Sequence, residues 1–411
     1  MTPRYSQGAP GPAPHAPNAP NVANAANVAN APNEANAPNA ARPTDVVHFS
    51  RRPQAGQHSI EKVFALIRRE LPERFHVKTV VSEHYSRGVV PRAATVLEAR
   101  RLTQPVVHIL GDITYAALAR RASSTVLTVH DTEFLRRASP IKRAVYSSLW
   151  LSFPIRHAAV VTVPSRATLR ELENLGVAEH SKLRLIPHPV GDGFTPEPPA
   201  TPATPATPEP PATPATPATP ATPEPPGMPD RTTSRPVVLA VGTAPNKNLP
   251  VLAEALAGLD CELVVVGSLD AAQRNAFARA RVEVRELGTV ADEAMPGVYR
   301  SADVLAFVST TEGFGVPILE ANASGLAVVT SDLDPHRDVA GGAARLVDPA
   351  DPASVRAGLR AVLDDENYRR HLVDAGLRNA AGYAPKRIAA AYADIYDELA
   401  GLAEDIHPGR D

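Results

Sequence analysis

Residues 311–329 read TEGFGVPILEANASGLAVV and follow a short apolar run, ADVLAFVS. Glu312 and the Gly313-Phe314-Gly315 turn therefore stand at the carboxyl end of a predicted strand, where open parallel sheets bind their ligands. Two glycines let backbone approach a ligand closely, and Pro317 suits a first helical turn. A helix starting there aims unpaired N–H groups and its positive end forward, which is the chemistry of a diphosphate site. Glu312 and Glu320 are separated by seven residues, one in the loop and one a turn into the helix. Two carboxylates so placed could grip two groups of hydroxyls on an elongated ligand. The spacing alone arises by chance in acid-rich helices; the flanking glycines make it informative.

Other signatures are missing. There is no GxGxxG after the first strand and no GxxxxGK[ST], which disfavours a dinucleotide oxidoreductase or a P-loop enzyme. The 13 histidines show no HExxH or similar ligand spacing, so no metal site is expected. The lone Cys261 excludes a disulfide framework or Cys-rich zinc module and is read as a core residue.

Two series of elements must position these residues. In the first half the apolar runs are DVVHFS, FHVKTVV, PVVHIL, STVLTVH, AAVVTV and KLRLIP, separated by helical stretches such as SIEKVFALIRRELP. The second half restarts the rhythm with RPVVLAVG, CELVVVG, RVEVREL, ADVLAFVS and LAVVTS. Continuous Val/Ile/Leu strands alternating with helices mean buried parallel sheets, hence an α/β chain. The two series predict Rossmann-like domains at 44–194 and 231–384, with the cleft between them as the default site. A last helical pattern, 385–411, is free to cross back to the first domain. Residues 1–43 repeat Ala, Asn and Pro with almost nothing bulky and are expected to be disordered. Residues 195–230 hold 15 prolines in a Thr-Pro-Ala repeat, a semi-rigid polyproline II spacer. That segment reads as a tolerated low-complexity linker or as a docking site for a proline-binding partner.

Charge is divided between the halves. Residues 44–194 carry 22 Lys and Arg against 13 Asp and Glu, whereas 231–411 carry 18 against 26. A basic first domain suits an anionic partner, such as a membrane surface or a phosphorylated acceptor, and compositional drift gives the same imbalance. Its basic residues do not cluster with interleaved aromatics, so no nucleic-acid partner is expected. Within 134–159, Arg136, Arg137, Lys142 and Arg143 accompany Trp150, Leu151 and Phe153. Packing of an ordinary helix against the sheet accounts for this pattern, and so does a helix lying at an anionic membrane face. The first residues form no apolar secretory segment, and no run of about 18 apolar residues occurs. The expected location is cytoplasmic, with a peripheral place at the inner face of the membrane as the further possibility.

The segments VGTAPNKNLPVLAEAL, LVVVG, YRSADVLAFVSTTEGFGVPILEANASGLAVVTSD and VAGGAARLVDPAD resemble the retaining glycosyltransferases of the GT-B fold, family-4 type, or glycosyl transferases group 1. HILGDITYAAL, TVHD, VTVPSRAT and LRLIPHPVGDGF are similar to that family's acceptor-side pattern more loosely. The resemblance extends over most of 44–385, and the proline-rich segment falls at the family's interdomain connection. It implies that Glu312 binds hydroxyls of the donor sugar and holds it for reaction, and that Glu320 binds the ribose hydroxyls. Lys247, in the donor-binding loop with Gly242 and Asn246, would neutralise the departing diphosphate, a role suited to a compact cation on a flexible stem. Gly313, Phe314 and Gly315 would supply backbone to the diphosphate and sugar. His130 would project from the first domain toward the sugar, and Gly56 would let that domain close on the phosphates. Base contacts would be largely backbone, near 288–290.

Each residue has a plainer reading beside this one. Glu312 could be a loop acid, Lys247 a solvated lysine at a helix start, and His130 a structural histidine. Asp131 could cap a helix, and Asp112 is read as a cap before an acceptor contact. One departure stands out: many members carry an arginine just after the glycine matching Gly242, where this chain has Thr243-Ala244-Pro245. The second diphosphate cation is therefore unassigned. The implied activity is metal-independent, cofactor-free transfer of a hexose, with retention, from a nucleotide-sugar donor to a hydroxyl of a glycan, lipid-linked or small-molecule acceptor. A sugar-nucleotide epimerase or hydrolase of the same fold, and a non-catalytic sugar-nucleotide-binding scaffold, are the alternatives.

Overall fold

The computed structural model describes residues 43–53, 59–136, 139–196 and 235–405. Twelve strands among these residues form two parallel six-stranded sheets. In the first sheet β1 (Thr44–Ser50), β2 (Phe75–Val81), β3 (Val106–Leu110), β4 (Thr125–Thr128), β5 (Val160–Val163) and β6 (Leu183–Leu185) lie in the order β2-β1-β3-β4-β5-β6. In the second, β7 (Val237–Val241), β8 (Glu262–Val266), β9 (Val284–Gly288), β10 (Val304–Phe307), β11 (Ala327–Ser331) and β12 (Arg345–Val347) lie in the order β12-β11-β10-β7-β8-β9.

Inner strands are continuous runs of buried Val, Ile and Leu because helices cover both faces. Edge strands differ: β2 exposes Lys78, and β9 exposes Arg285 and Glu286, charges that discourage pairing with another chain. The short β12 has one buried residue in three, too little pattern to be read from sequence, and it is the one strand the sequence analysis omits.

Strand order reverses once in each sheet. The chain leaves β1 toward β2 and returns to β3 on the other side; it leaves β7 toward β8 and β9 and returns to β10. Loops at the carboxyl ends of such a pair part in opposite directions and open a crevice. Arg51 and Gly111-Asp112 follow β1 and β3, whereas Asn246-Lys247 and residues 311–315 follow β7 and β10. The topology therefore fixes both places where chemistry can occur.

Val190 and Phe194 already pack in the core of the second domain, so the chain crosses over before the proline-rich segment. It crosses back at the end. The helix Pro385–Asp405 lays Ile388, Tyr392, Ile395, Tyr396 and Leu399 against Val46, Phe64, Ile67 and Leu110 of the first domain, a stripe at helical spacing. A polar seam runs beneath that contact. The Tyr396 hydroxyl lies 2.9 Å from His48 Nε2 and 2.8 Å from His108 Nδ1. His108 Nε2 lies 2.6 Å from Thr128 Oγ1, which lies 2.7 Å from Thr162 Oγ1. His48 and His108 are fully buried. Burial lowers the pKa of His48 to about 3 and that of His108 well below the usual range, so both are neutral. Among the described residues no helix is long and apolar enough to cross a membrane.

Removing the shared hydroxyl with Tyr396→Phe strands two buried ring nitrogens and should cost about 1–3 kcal/mol of stability; an unchanged urea midpoint would contradict this. Acid should act through the same seam. Because the folded pKa values lie below the unfolded value of about 6.5, the unfolded chain takes up protons first. Stability present above pH 6.5 should then fall toward pH 5 by up to about 1.4 kcal/mol per pH unit for each such histidine. Unfolding free energies measured across that window would show a flat profile if the rings were already protonated in the fold.

Candidate active site

At the second switch point two loops are stitched into one surface. Gly242, which ends the run after β7, holds φ +90, and a Cβ there would stand 2.9 Å from Lys247 Cε. A glycine is thus what lets the Lys247 side chain fold back over the strand end. Lys247 Nζ lies 2.7 Å from Glu312 Oε1 and 4.6 Å from the centre of the Phe307 ring. Both members of this pair are 17% exposed. Asn246 Nδ2 donates to the Thr311 carbonyl at 2.9 Å and to Glu312 Oε1 at 3.1 Å, and Thr310 N donates to the Asn246 carbonyl at 2.9 Å. The structure therefore joins Gly242, Asn246, Lys247 and Glu312, residues up to 70 positions apart in the chain.

Gly315 takes a left-handed conformation, φ 109, immediately before the helix Val316–Ala323, with Pro317 in its first turn. A Cβ on Gly315 would crowd Ile318 at 3.3 Å and His336 at 3.6 Å. Phe314 turns its side chain into the second core and packs on His188, ring centres 4.9 Å apart. Glu320 projects from the helix and accepts a hydrogen bond from the Tyr299 hydroxyl at 2.6 Å. Burial raises the Glu320 pKa, and the Tyr299 bond opposes that rise; burial and the adjacent carboxylate push the Tyr299 phenol well above its usual value.

The first domain closes this surface from the other side. His130 follows β4 with both ring nitrogens buried and without a hydrogen-bond partner among the described residues. Its ring lies 5.4 Å from that of His188. Burial, then the neighbouring His188, hold it neutral. Burial also lowers His188 to about 4, and His336 to about 4 against the pull of Glu312. Gly313 sits against Asp131, whose Oδ2 would be 3.4 Å from a Cβ placed there. Lys62 reaches across to Asp292, 2.6 Å, and its charge favours the ionised form of Glu320. Gly56 lies outside the described residues. At 288–290, Gly288 holds φ 62 at the end of β9 and its carbonyl accepts from Gly267 N at 2.8 Å.

The first switch point holds a cavity of about 310 Å³ bounded by Arg51, Gly111, Asp112, Val129, His130 and Trp150. Asp112 is not a helix cap: the following 3₁₀ turn is preceded by Ile113 without a side-chain cap, and the carboxylate lies 3.9 Å from Arg51 NH1. His188, His336, Tyr299 and Lys62 were missed by sequence reasoning. His188 and Tyr299 lie in the family-like segments LRLIPHPVGDGF and YRSADV, and that placement was the available signal. Glu83, His84 and Glu98 are close enough to share a cation, but Glu98 already accepts from Ser82 Oγ at 2.7 Å and from Glu83 N at 3.3 Å, bonds that shape the loop.

Comparison with known proteins agrees with this geometry. Residues 235–365 match the family Glycosyl transferases group 1. Over 171 residues the chain is 37% identical to a phosphatidyl-myo-inositol mannosyltransferase of Mycobacterium tuberculosis, covering 38% of this chain and 45% of that protein. It is 36% identical over 101 residues to the O-antigen chain mannosyltransferase B of Escherichia coli, covering 25% of this chain and 26% of that one. The matched region thus spans less than half the length of these relatives. In three dimensions the chain superimposes on the Anabaena protein HepE in complex with UDP and glucose with a TM-score of 0.64 at 15% identity, over 86% of this chain and 99% of that one. The chain therefore has the GT-B fold, and its second domain belongs to the glycosyl transferases group 1 family.

Proposed function

We propose that the chain is a retaining, metal-independent glycosyltransferase that takes a hexose from a nucleoside diphosphate in the second domain and passes it to a hydroxyl held by the first. The observation that carries this reading is the meeting of Lys247, Asn246 and Glu312 with the Gly315 helix start at one switch point. Lys247 and the helix end offer positive charge where a diphosphate would develop negative charge. Glu312 offers a carboxylate to sugar hydroxyls, and Glu320, fixed by Tyr299, one to the ribose. Neutral His130 and the backbone at residues 313–315 border the position between them. In the reaction the bond from the anomeric carbon to the diphosphate breaks, and the acceptor oxygen bonds to that carbon from the same face. The acceptor's proton passes to the departing phosphate oxygen. Closure of the two domains excludes water, which would otherwise compete as acceptor.

The first domain also supports peripheral membrane contact. Trp150 and Leu151 pack inward, as ordinary helix packing requires, while Val145, Leu149 and Phe153 remain 46%, 42% and 52% exposed at four-residue spacing. Exposed Lys142, Arg143 and Arg156 accompany this stripe, an arrangement suited to an anionic bilayer surface. The side chains of Arg136 and Arg137 lie outside the described residues.

Two experiments test these readings. Nucleotide release from UDP-, GDP-, ADP- and dTDP-hexoses should occur from one donor and persist in EDTA. Glu312→Ala and Lys247→Ala should each lower it by about 10²–10³-fold. Absence of donor binding would overturn the transferase, and release unaffected by any acceptor would favour the hydrolase. Vesicles containing phosphatidylglycerol should sediment the protein at low salt and release it at high salt, and Leu149→Glu with Phe153→Glu should abolish the binding. Equal sedimentation with pure phosphatidylcholine would contradict the charge-assisted mode.

A further inference from the structure

We infer that the cavity at the first switch point takes a ring polyol carrying one anionic group, phosphate or carboxylate, and that Arg92 reads that group. The inference rests on the proposed transfer reaction and names its acceptor class. His130 and Asp131 line the cavity, and Asp131 stands against Gly313 of the loop that carries Glu312. A hydroxyl presented at that rim faces the place where the sugar would be released.

The cavity holds two guanidinium groups, Arg51 and Arg92. Arg51 is met by carboxylates, with its Nε 3.5 Å from Glu61 Oε1 and its NH1 3.9 Å from Asp112 Oδ1. Arg92 has no acidic partner among the described residues. It donates from NH2 to the Ser86 carbonyl at 3.1 Å, and its guanidinium lies 4.6 Å from the centre of the Trp150 ring. Its Nε is buried without an acceptor. Arg92 is only half-buried as a whole, but a buried N–H without an acceptor on a permanent cation favours an anionic acceptor, which would satisfy it. The planar fork suits phosphate or carboxylate, and the indole beneath holds it in orientation.

The remaining surface suits a ring. Trp150 and Tyr146 line the cavity with ring centres 5.2 Å apart, and Tyr115 backs Trp150 from the core at 5.1 Å; the two lining rings can meet the apolar face of a polyol. The carboxylates of Asp112 and Asp131 at the mouth can accept from its hydroxyls. About 310 Å³ is at the small end of ligand pockets and admits one ring.

The test compares acceptor pairs that differ only in the anion: hexose 6-phosphate and hexose, hexuronate and hexose, inositol 1-phosphate and inositol. Phosphatidylinositol in phosphatidylcholine vesicles presents the same headgroup from a bilayer. Wild type should prefer an anionic member over its neutral parent by about tenfold or more in kcat/KM. Arg92→Gln should bring that ratio near one, mainly through KM, and Arg92→Lys should restore part of it. Preference in the soluble pairs points to a free acceptor, and preference for the vesicle arm to a lipid headgroup. Either supports the inference. Equal use of charged and neutral partners, a ratio unmoved by Arg92→Gln, or refusal of every compound overturns it. Calorimetric binding of nucleoside diphosphate to the same proteins separates the two readings: it reports whether the variant is folded and whether the donor site exists. If donor binding is absent, direct titration with the anionic polyols still decides the cavity's preference.

Discussion

One hydroxyl joins the end of the chain to the middle of the first sheet. Tyr396 bridges His48 on β1 and His108 on β3, and those strands flank the first switch point. Both rings are buried and neutral; Arg68 lies 3.4 Å from His48 Nδ1 and Thr128 2.6 Å from His108 Nε2, which leaves one nitrogen of each ring in need of a partner. The partner arrives on the last helix, whose apolar stripe fills the adjoining core. The first tie between the sheets is the crossing at Val190 and Phe194, which pack in the second core. The returning helix supplies a second tie, held by both packing and a polar match that tolerates one register. The crevice between the sheets depends on it.

A second local match shapes the donor side. Lys247 and Glu312 are mostly removed from water and face each other at 2.7 Å. Leaving either charge alone in such a place would cost roughly 3–5 kcal/mol, so a ligand that draws Lys247 away must also satisfy Glu312. In the proposed reaction a sugar diphosphate meets both demands together, its phosphates toward the lysine and its hydroxyls toward the carboxylate. A bare anion answers half of the demand. On the proposed function the loop would select for a ligand with both features; the Lys247–Glu312 pair itself is set by one glycine, one asparagine and the ring of Phe307.

Much of this was legible from local pattern. The apolar runs marked eleven of the twelve strands, because parallel strands covered on both faces must be continuously apolar. The GFG turn and Pro317 marked a helix start after β10 because few residues tolerate those backbone conformations. What stayed hidden was set by distance along the chain. Arg92 meets Trp150 across 58 positions, Lys62 meets Asp292 across 230, and Tyr396 meets His48 across 348. No periodicity encodes such pairs. Asp112 misled for a related reason: an acid before a turn has the look of a cap, and only the fold shows Arg51 beside it.

The charge division between the halves gains a concrete meaning in three dimensions. Part of the positive excess of the first domain is spent on the acidic second half itself. Lys62 pairs with Asp292, and Arg170 lies 3.2 Å from Asp334 and 3.1 Å from Asp338. On the returning helix Asp397 holds Arg74 at 2.6 Å. These pairs are exposed or partly exposed, so each contributes little to stability, and their number matters more for guiding one domain onto the other. Among the described residues, basic side chains that show no acidic partner, such as Arg92, Lys142 and Arg156, are therefore the informative ones. Arg92 turns into the cavity, and Lys142 and Arg156 line the exposed apolar stripe. A composition that looked like one uniform bias separates into charge that closes the molecule and charge that faces outward from it.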